Sequence, residues 1–209
     1  MSLAVLDGGT FYHYEAIYGP RYRAFFDRAI YAPQLAPEDL ADIDMLIVAD
    51  RIDPVVLRRH AGIFADFLGH GGTLVVLGET EAETWAPAVR WSSRPTNFWW
   101  WLEKGAVPAQ QLAQPDHSLF RHLPFKDTIS HFHGVLFPPP GAEALIIVPA
   151  DPEGRDPGGA LLYEDRVSTP GRLIVSTLDP FYHHGSRFMP AATRFLDGFL
   201  DWARSEARR

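Results

Sequence analysis

The stretch from Met45 to Leu77 constrains the fold more than any other part of the chain. Met45 to Ala49 is a short apolar run of the kind a fully buried strand needs. Asp50-Arg51-Ile52-Asp53-Pro54 follows, and it places Asp53 as a helix N-cap with Pro54 at the first helical position, where a missing N–H costs nothing. From Pro54 to Leu68 the apolar residues Val56, Ile63, Phe64, Phe67 and Leu68 recur at helical spacing until Gly69 to Gly72 stop the helix. Thr73 to Leu77 is a second buried run. Strand, helix and strand in so short a span make a βαβ unit, which crosses over right-handed and builds parallel sheet.

The remaining elements extend this unit into an open, mostly parallel α/β sheet with helices on both faces. Leu3 to Leu6 reads as a buried first strand ending in the turn Asp7-Gly8-Gly9-Thr10, and a helix is expected around Arg21 to Ile30. Leu145 to Val148 and Ala160 to Tyr163, separated by the turn-rich Ala150 to Gly159, predict an antiparallel hairpin, with Leu173 to Val175 as a final core strand. A helix from about Pro190 to Ala203 carries Ala192, Phe195, Leu196, Phe199 and Trp202 on one stripe. At 209 residues, a single domain over 1–209 is the expectation.

Composition excludes several classes of function. A net charge of −7, with basic residues clustered only at Arg204 to Arg209, gives no footprint for a nucleic-acid backbone. No apolar run reaches the ~18 residues a membrane span needs, and Met1-Ser2-Leu3 leads into a strand rather than a basic signal segment, so a cytoplasmic protein is expected. The chain contains no cysteine, which removes thiol nucleophiles, disulfides and thiolate metal sites together. A metal would have to be held by His, Asp or Glu.

In open parallel sheets the ligand crevice lies outside the carboxyl ends of the strands, which selects Asp7 to Thr10, Asp50-Arg51, Glu79-Thr80 and Asp179 to His184. Within this set Glu79 and His183 are the candidate proton-transfer groups, and Gly9, Thr10, Arg51, Thr80, Asp179 and His184 the candidate substrate contacts. The competing role for Glu79 is to cap the next helix or pair with Arg51. His131-Phe132-His133 has the spacing that puts two imidazoles on one face of a strand, and so is a candidate ligand pair for a divalent metal, to which Asp179 and one of His183 and His184 would add. A hydrogen-bonded or half-exposed histidine pair is the alternative. Five of the six tryptophans fall between Trp85 and Trp101. Trp91 to Trp101, with Trp99 as the candidate contact, offers flat apolar faces beside polar groups, as sugar sites do, while core packing or an interface between protomers would use the same residues. Gly8-Gly9-Thr10 has backbone N–H groups to cradle an anion, or else forms a surface loop with Tyr12, His13 and Tyr14.

Two segments, Asp44-Met45-Leu46-Ile47-Val48 and Gly71-Gly72-Thr73-Leu74-Val75-Val76-Leu77-Gly78, resemble the central unit of the class I glutamine amidotransferase-like superfamily. The chain is most similar there to the trehalose-utilisation, ThuA-like branch. Asp116-His117-Ser118-Leu119-Phe120 resembles a family "DHP" segment, and Ser176-Thr177-Leu178-Asp179 with His183-His184 and the Trp202 helix resembles its end. The family's late Gly-His-Asp element is replaced by Leu178-Asp179-Pro180. The resemblance implies a flavodoxin-like sheet and a link to carbohydrates. It also implies that Gly78-Glu79-Thr80 occupies the sharp turn where the superfamily keeps its catalytic cysteine, so Glu79 stands where glutaminase activity needs a thiol. A protein that binds or processes a carbohydrate or similar small polar molecule is expected. A non-catalytic assembly module, a homo-oligomer joined through the Trp-rich segment, is the alternative.

Overall fold

A computed structural model describes residues 2–96, 98–99 and 102–206. Its centre is five parallel strands: β1 (Leu3–Asp7), β2 (Arg28–Tyr31), β3 (Met45–Val48), β4 (Thr73–Leu77) and β10 (Arg172–Ser176), in the order β2-β1-β3-β4-β10. This is the flavodoxin-like order. Every residue of β1, β3, β4 and β10 is buried, as parallel strands covered on both faces require.

From β1 the chain steps outward to β2 and then returns past β1 to β3. With right-handed crossovers, this reversal sends the two connections to opposite faces of the sheet. One face carries α2 (Pro54–Arg59) and α3 (Ala61–Gly69). Asp53 caps α2 by accepting from Val55 N–H at 2.8 Å, and α3 ends where Gly71 N–H and Gly72 N–H reach back to the carbonyls of Leu68 and Phe67, with Gly71 left-handed. The other face carries α1 (Phe11–His13) and the C-terminal α5 (Pro190–Glu206). Here α5 is tied to the β1–β2 connection by Arg21–Asp197 and Arg204–Asp27, each 2.7 Å.

Three expectations need correction. In place of a helix over Arg21 to Ile30 there is a single turn, Arg23–Phe25, and then the edge strand β2, in which only Ile30 is buried. The helix expected from Pro54 to Leu68 is two helices that meet at His60 (φ −102°, ψ 9°), just ahead of the weak helix former Gly62. The expected hairpin, β8 (Glu143–Val148) with β9 (Gly159–Asp165), is present but belongs to a larger antiparallel half that includes β5 (Trp91–Ser93), β6 (Gln111–Leu112) and β7 (Gly134–Leu136).

The antiparallel half builds the site. On one edge β9 pairs along its length with β8; on the other it is shared. β10 occupies that second edge from Asp165 to Leu162, and β7 takes it over at Ala160, beyond the carboxyl end of β10. β7 therefore continues the lane of β10, and β5, paired to β7, lies beside it. The discontinuity between the two lanes opens a cavity of about 380 Å³ at the carboxyl ends of β4 and β10.

Candidate functional site

Asp50 and Arg51 leave the end of β3. Asp50 is fully buried, and its two carboxylate oxygens accept from Phe181 N–H (2.7 Å) and Tyr182 N–H (2.9 Å), the first turn of α4 (Pro180–Gly185). Burial, and then the charge of Asp179, push its carboxyl well above the usual range. The neighbouring His13 is also fully buried. Its Nδ1 accepts from Gly8 N–H at 3.1 Å, which leaves Nε2–H to donate to the Asp50 carbonyl at 2.7 Å. Burial lowers its pKa, so it joins the ends of β1 and β3 as a neutral hydrogen-bonding residue.

Arg51 adopts a left-handed backbone (φ 59°), a conformation that costs a non-glycine residue about 1 kcal/mol or more and is concentrated at functional sites. Its guanidinium lies 3.9 Å above the Tyr182 ring, 2.7 Å from Asp179 Oδ2 and 3.5 Å from Glu79 Oε2. Burial works against its charge, but the hydrogen bond and charge of Asp179, with Glu79 and Asp50, outweigh it and hold Arg51 firmly protonated. For Asp179 burial alone would raise the pKa. His183 and Arg51 outweigh that and hold it below the usual carboxylate range.

Glu79 follows Gly78 at the end of β4. Gly78 is left-handed (φ 61°), and a Cβ there would lie 2.5 Å from Asp50 Cβ and 2.8 Å from Asp179 Cβ, so the apex of this turn has no room for any side chain. Glu79 projects from the next position. Its Oε1 is 3.2 Å from His133 Nε2, a distance suited to proton exchange although off the axis of a hydrogen bond, as is common before substrate tightens a site. Thr96 Oγ1, 2.8 Å from Nδ1, orients the His133 ring.

His131 and His133 do not lie on a strand; they immediately precede β7, whose first residue, Gly134, has the Trp91 ring packed where a Cβ would be. The two imidazoles, their rings 5.4 Å apart, face different partners. His133 faces Glu79, whereas the His131 ring sits 5.0 Å from that of His183 at 89°. Burial lowers the His131 pKa to about 4, with the charge of Asp179 opposing and His183 adding to the depression, so His131 is neutral at pH 7. His183 is 4% exposed, its Nε2 is 3.0 Å from Asp179 Oδ1, and neither ring nitrogen makes a hydrogen bond of good geometry. An orphaned buried polar group costs about 1–3 kcal/mol and calls for an explanation.

Six side chains thus form one connected series, His133, Glu79, Arg51, Asp179, His183 and His131. Other sequence candidates fall elsewhere. His184 turns toward α5, with Nδ1 2.8 Å from Thr193 Oγ1 and its ring 4.8 Å from Tyr22. The described contacts of Gly9 and Thr10 are local: Gly9 N–H donates to Asp7 Oδ1, and Thr10 Oγ1 caps α1. Trp99 is 66% exposed, and Trp100 and Trp101 lie outside the described residues. His117, from the "DHP"-like segment, pairs instead with Glu164 (3.1 Å) in a buried cluster with Arg172 and Glu206 near the amino end of β10.

Thr80 lines the 380 Å³ cavity together with Glu79, Glu81, Trp91, His133 and Thr177. The hydroxyls of Thr80 and Thr177 are buried and have no hydrogen-bond partner. Sequence reasoning placed Asp50 at the crevice without giving it a role and overlooked Thr177, whose position directly after β10 was the available signal.

No family model matches the chain, and no curated protein sequence matches it. Solved structures do. A putative GMP synthase subunit from Thermoplasma acidophilum superposes with a TM-score of 0.56 at 10% identity, over 99% of this chain and 95% of that one. A putative ThuA-like protein from Bacteroides uniformis gives 0.54 at 10% identity, over 96% and 89%. A cytoplasmic protein of Salmonella typhimurium LT2 gives 0.54 at 13% identity, over 95% and 98%. These likenesses fit a glutamine amidotransferase-like fold. At such identities they bear on the fold alone.

Proposed function

We propose that the cavity at the carboxyl ends of β4 and β10 binds and processes a small, uncharged, hydroxyl-rich molecule of the carbohydrate or polyol class, with Glu79 and His133 as the proton-transfer pair. The observation that carries this reading is the Glu79–His133 contact on the wall of a cavity whose lining includes two buried, unpartnered hydroxyls, Thr80 and Thr177. Those hydroxyls offer donors and acceptors that a substrate hydroxyl would satisfy, and the Trp91 ring supplies an apolar face for the carbon side of such a ligand. Glu79, Glu81 and Glu83 line the same cavity, which disfavours anionic ligands such as sugar phosphates. His183, expected to act with Glu79, is linked to it through Asp179 and Arg51 on one side and through the His131 and His133 rings on the other, and its role in this reading is to position Arg51 by way of Asp179. Glutaminase activity of the thiol type is absent in this proposal, because the chain has no cysteine and the turn apex is closed at Gly78.

Titration calorimetry of the protein against neutral sugars, polyols and their phosphorylated forms tests the proposal, with Thr177→Val as the decisive variant. Because the Thr177 hydroxyl has no partner, its loss leaves the fold as stable or more so while weakening the ligand. Failure of every neutral member to bind with a Kd below about 1 mM, or equal binding by wild type and Thr177→Val, sinks the reading.

A second reading, an assembly module, is favoured by the exposure of Phe98, Trp99, Leu102 and Val107 in one segment. It requires a stable oligomer in sedimentation that Trp99→Ala dissociates. A monomer at all concentrations removes it.

A further inference from the structure

Next to the Glu79–His133 pair stands a second cluster, whose His131 ring is 5.4 Å from that of His133. We propose that His131, Asp179 and His183 bind one divalent first-row transition-metal ion of the zinc or iron(II) class. One ligand atom from each of the three residues lies within 4.8 Å of the others, and Asp179 Oδ1 and His183 Nε2 are 3.0 Å apart. Ligand atoms ~2.1 Å from one ion are separated by ~3.0 Å at right angles and ~3.4 Å in a tetrahedron, so the Asp179–His183 edge is close to its bound spacing, while the His131 ligand atom has to move inward to join it.

The donor set follows from what each residue has left to give. Arg51 occupies Asp179 Oδ2, which leaves Oδ1 for an ion. His183 is buried with both ring nitrogens unpartnered, so either can offer a lone pair without giving up a protein hydrogen bond. Two neutral imidazoles and one carboxylate, with positions left open, select a borderline ion over magnesium or calcium, which prefer all-oxygen sites. His133, two residues from His131, is not in the set because Glu79 and Thr96 engage it. Arg51 completes the arrangement by hydrogen-bonding the ligating carboxylate, the outer-sphere role that fixes a ligand's orientation.

The test is titration of the chelator-treated full chain with Zn²⁺ by calorimetry and with Co²⁺ by its visible d–d absorption, which reports coordination number. One ion per chain is expected. Loss of an outer-sphere partner costs 10–100-fold in affinity, so His131→Ala and His183→Gln, which remove ligands, each weaken binding by at least ~100-fold, while His133→Ala and the neighbouring His184→Ala retain it. Circular dichroism and the metal-induced rise in Tm separate lost binding from lost folding: folded His131→Ala shows no rise. Substoichiometric binding by the wild type, undiminished affinity in the folded His131→Ala protein, or equal loss in His184→Ala overturns the proposal.

Discussion

Replacing Gly78 by alanine is the sharpest test of how this site is assembled. The substitution adds one methyl group at a left-handed position (φ 61°), 2.5 Å from Asp50 Cβ and 2.8 Å from Asp179 Cβ, where real Cβ contacts essentially never fall below 3.0 Å. Holding an alanine left-handed costs about 1–2 kcal/mol, and forcing a methyl into filled space about 1–3 kcal/mol. Neither neighbour retreats cheaply. Asp50 is held by two backbone N–H groups of α4, and Asp179 by Arg51. A loss of about 3 kcal/mol, at ~2–4 °C per kcal/mol for a chain of this size, lowers Tm by roughly 6–12 °C. Differential scanning calorimetry measures it, with Gly62→Ala in α3 as the matched control. Nothing lies within 4 Å of a Cβ at Gly62, so that variant gains about 0.4–1 kcal/mol from a stiffer unfolded chain and better helix propensity. If Gly78→Ala melts within about 1 °C of wild type, the cramped turn is not cramped. Its apex would then have room for a nucleophile after all.

Glu164 contributes to acid stability. Burial alone would raise its carboxyl, but hydrogen bonds from His117 and Arg172 outweigh that and bring it down to about 2 from an ordinary 4.5. Its contribution is complete above pH 4.5 and is lost as pH falls toward 2, on the order of 3 kcal/mol from that shift at about 1.4 kcal/mol per unit. Urea unfolding at steps from pH 6 to pH 2 should show this decline in wild type and a flatter profile in Glu164→Gln; parallel profiles contradict it. Trp85 Nε1 donates to the Thr80 carbonyl at 2.8 Å with its ring against Phe64. Trp85→Phe therefore costs about 1–2 kcal/mol in denaturant and weakens ligand binding in the cavity, and unchanged binding would detach Trp85 from the positioning of the Glu79-Thr80 turn.

The parallel core was legible because its information is local. β1, β3 and β4 are continuous apolar runs, and the caps at Asp53 and Gly71 announce themselves in a few residues. β2 escaped because an edge strand with Ile30 alone buried has no pattern to read. β5, β6 and β7, two or three residues each, exist only through partners distant in sequence. The site divides the same way. Glu79, Arg51 and Asp179 could be placed from strand ends. That His131 meets His183, and His133 meets Glu79, depends on β7 running in the lane of β10, and α4 depends on a cap supplied by Asp50 from 131 residues away. No local window contains those facts.

The shared edge of β9 also acts as a ruler. Leu162, the last partner of β10, and Ala160, the partner of β7, stand two positions apart, a step of ~7 Å along the strand. Lengthening β9 there by two residues, with β8 lengthened to match, widens the opening by another ~7 Å and keeps every side chain on its present face; one residue turns them over. The size of ligand this scaffold accepts is thus quantised in pairs of residues and adjustable far from any group that does chemistry.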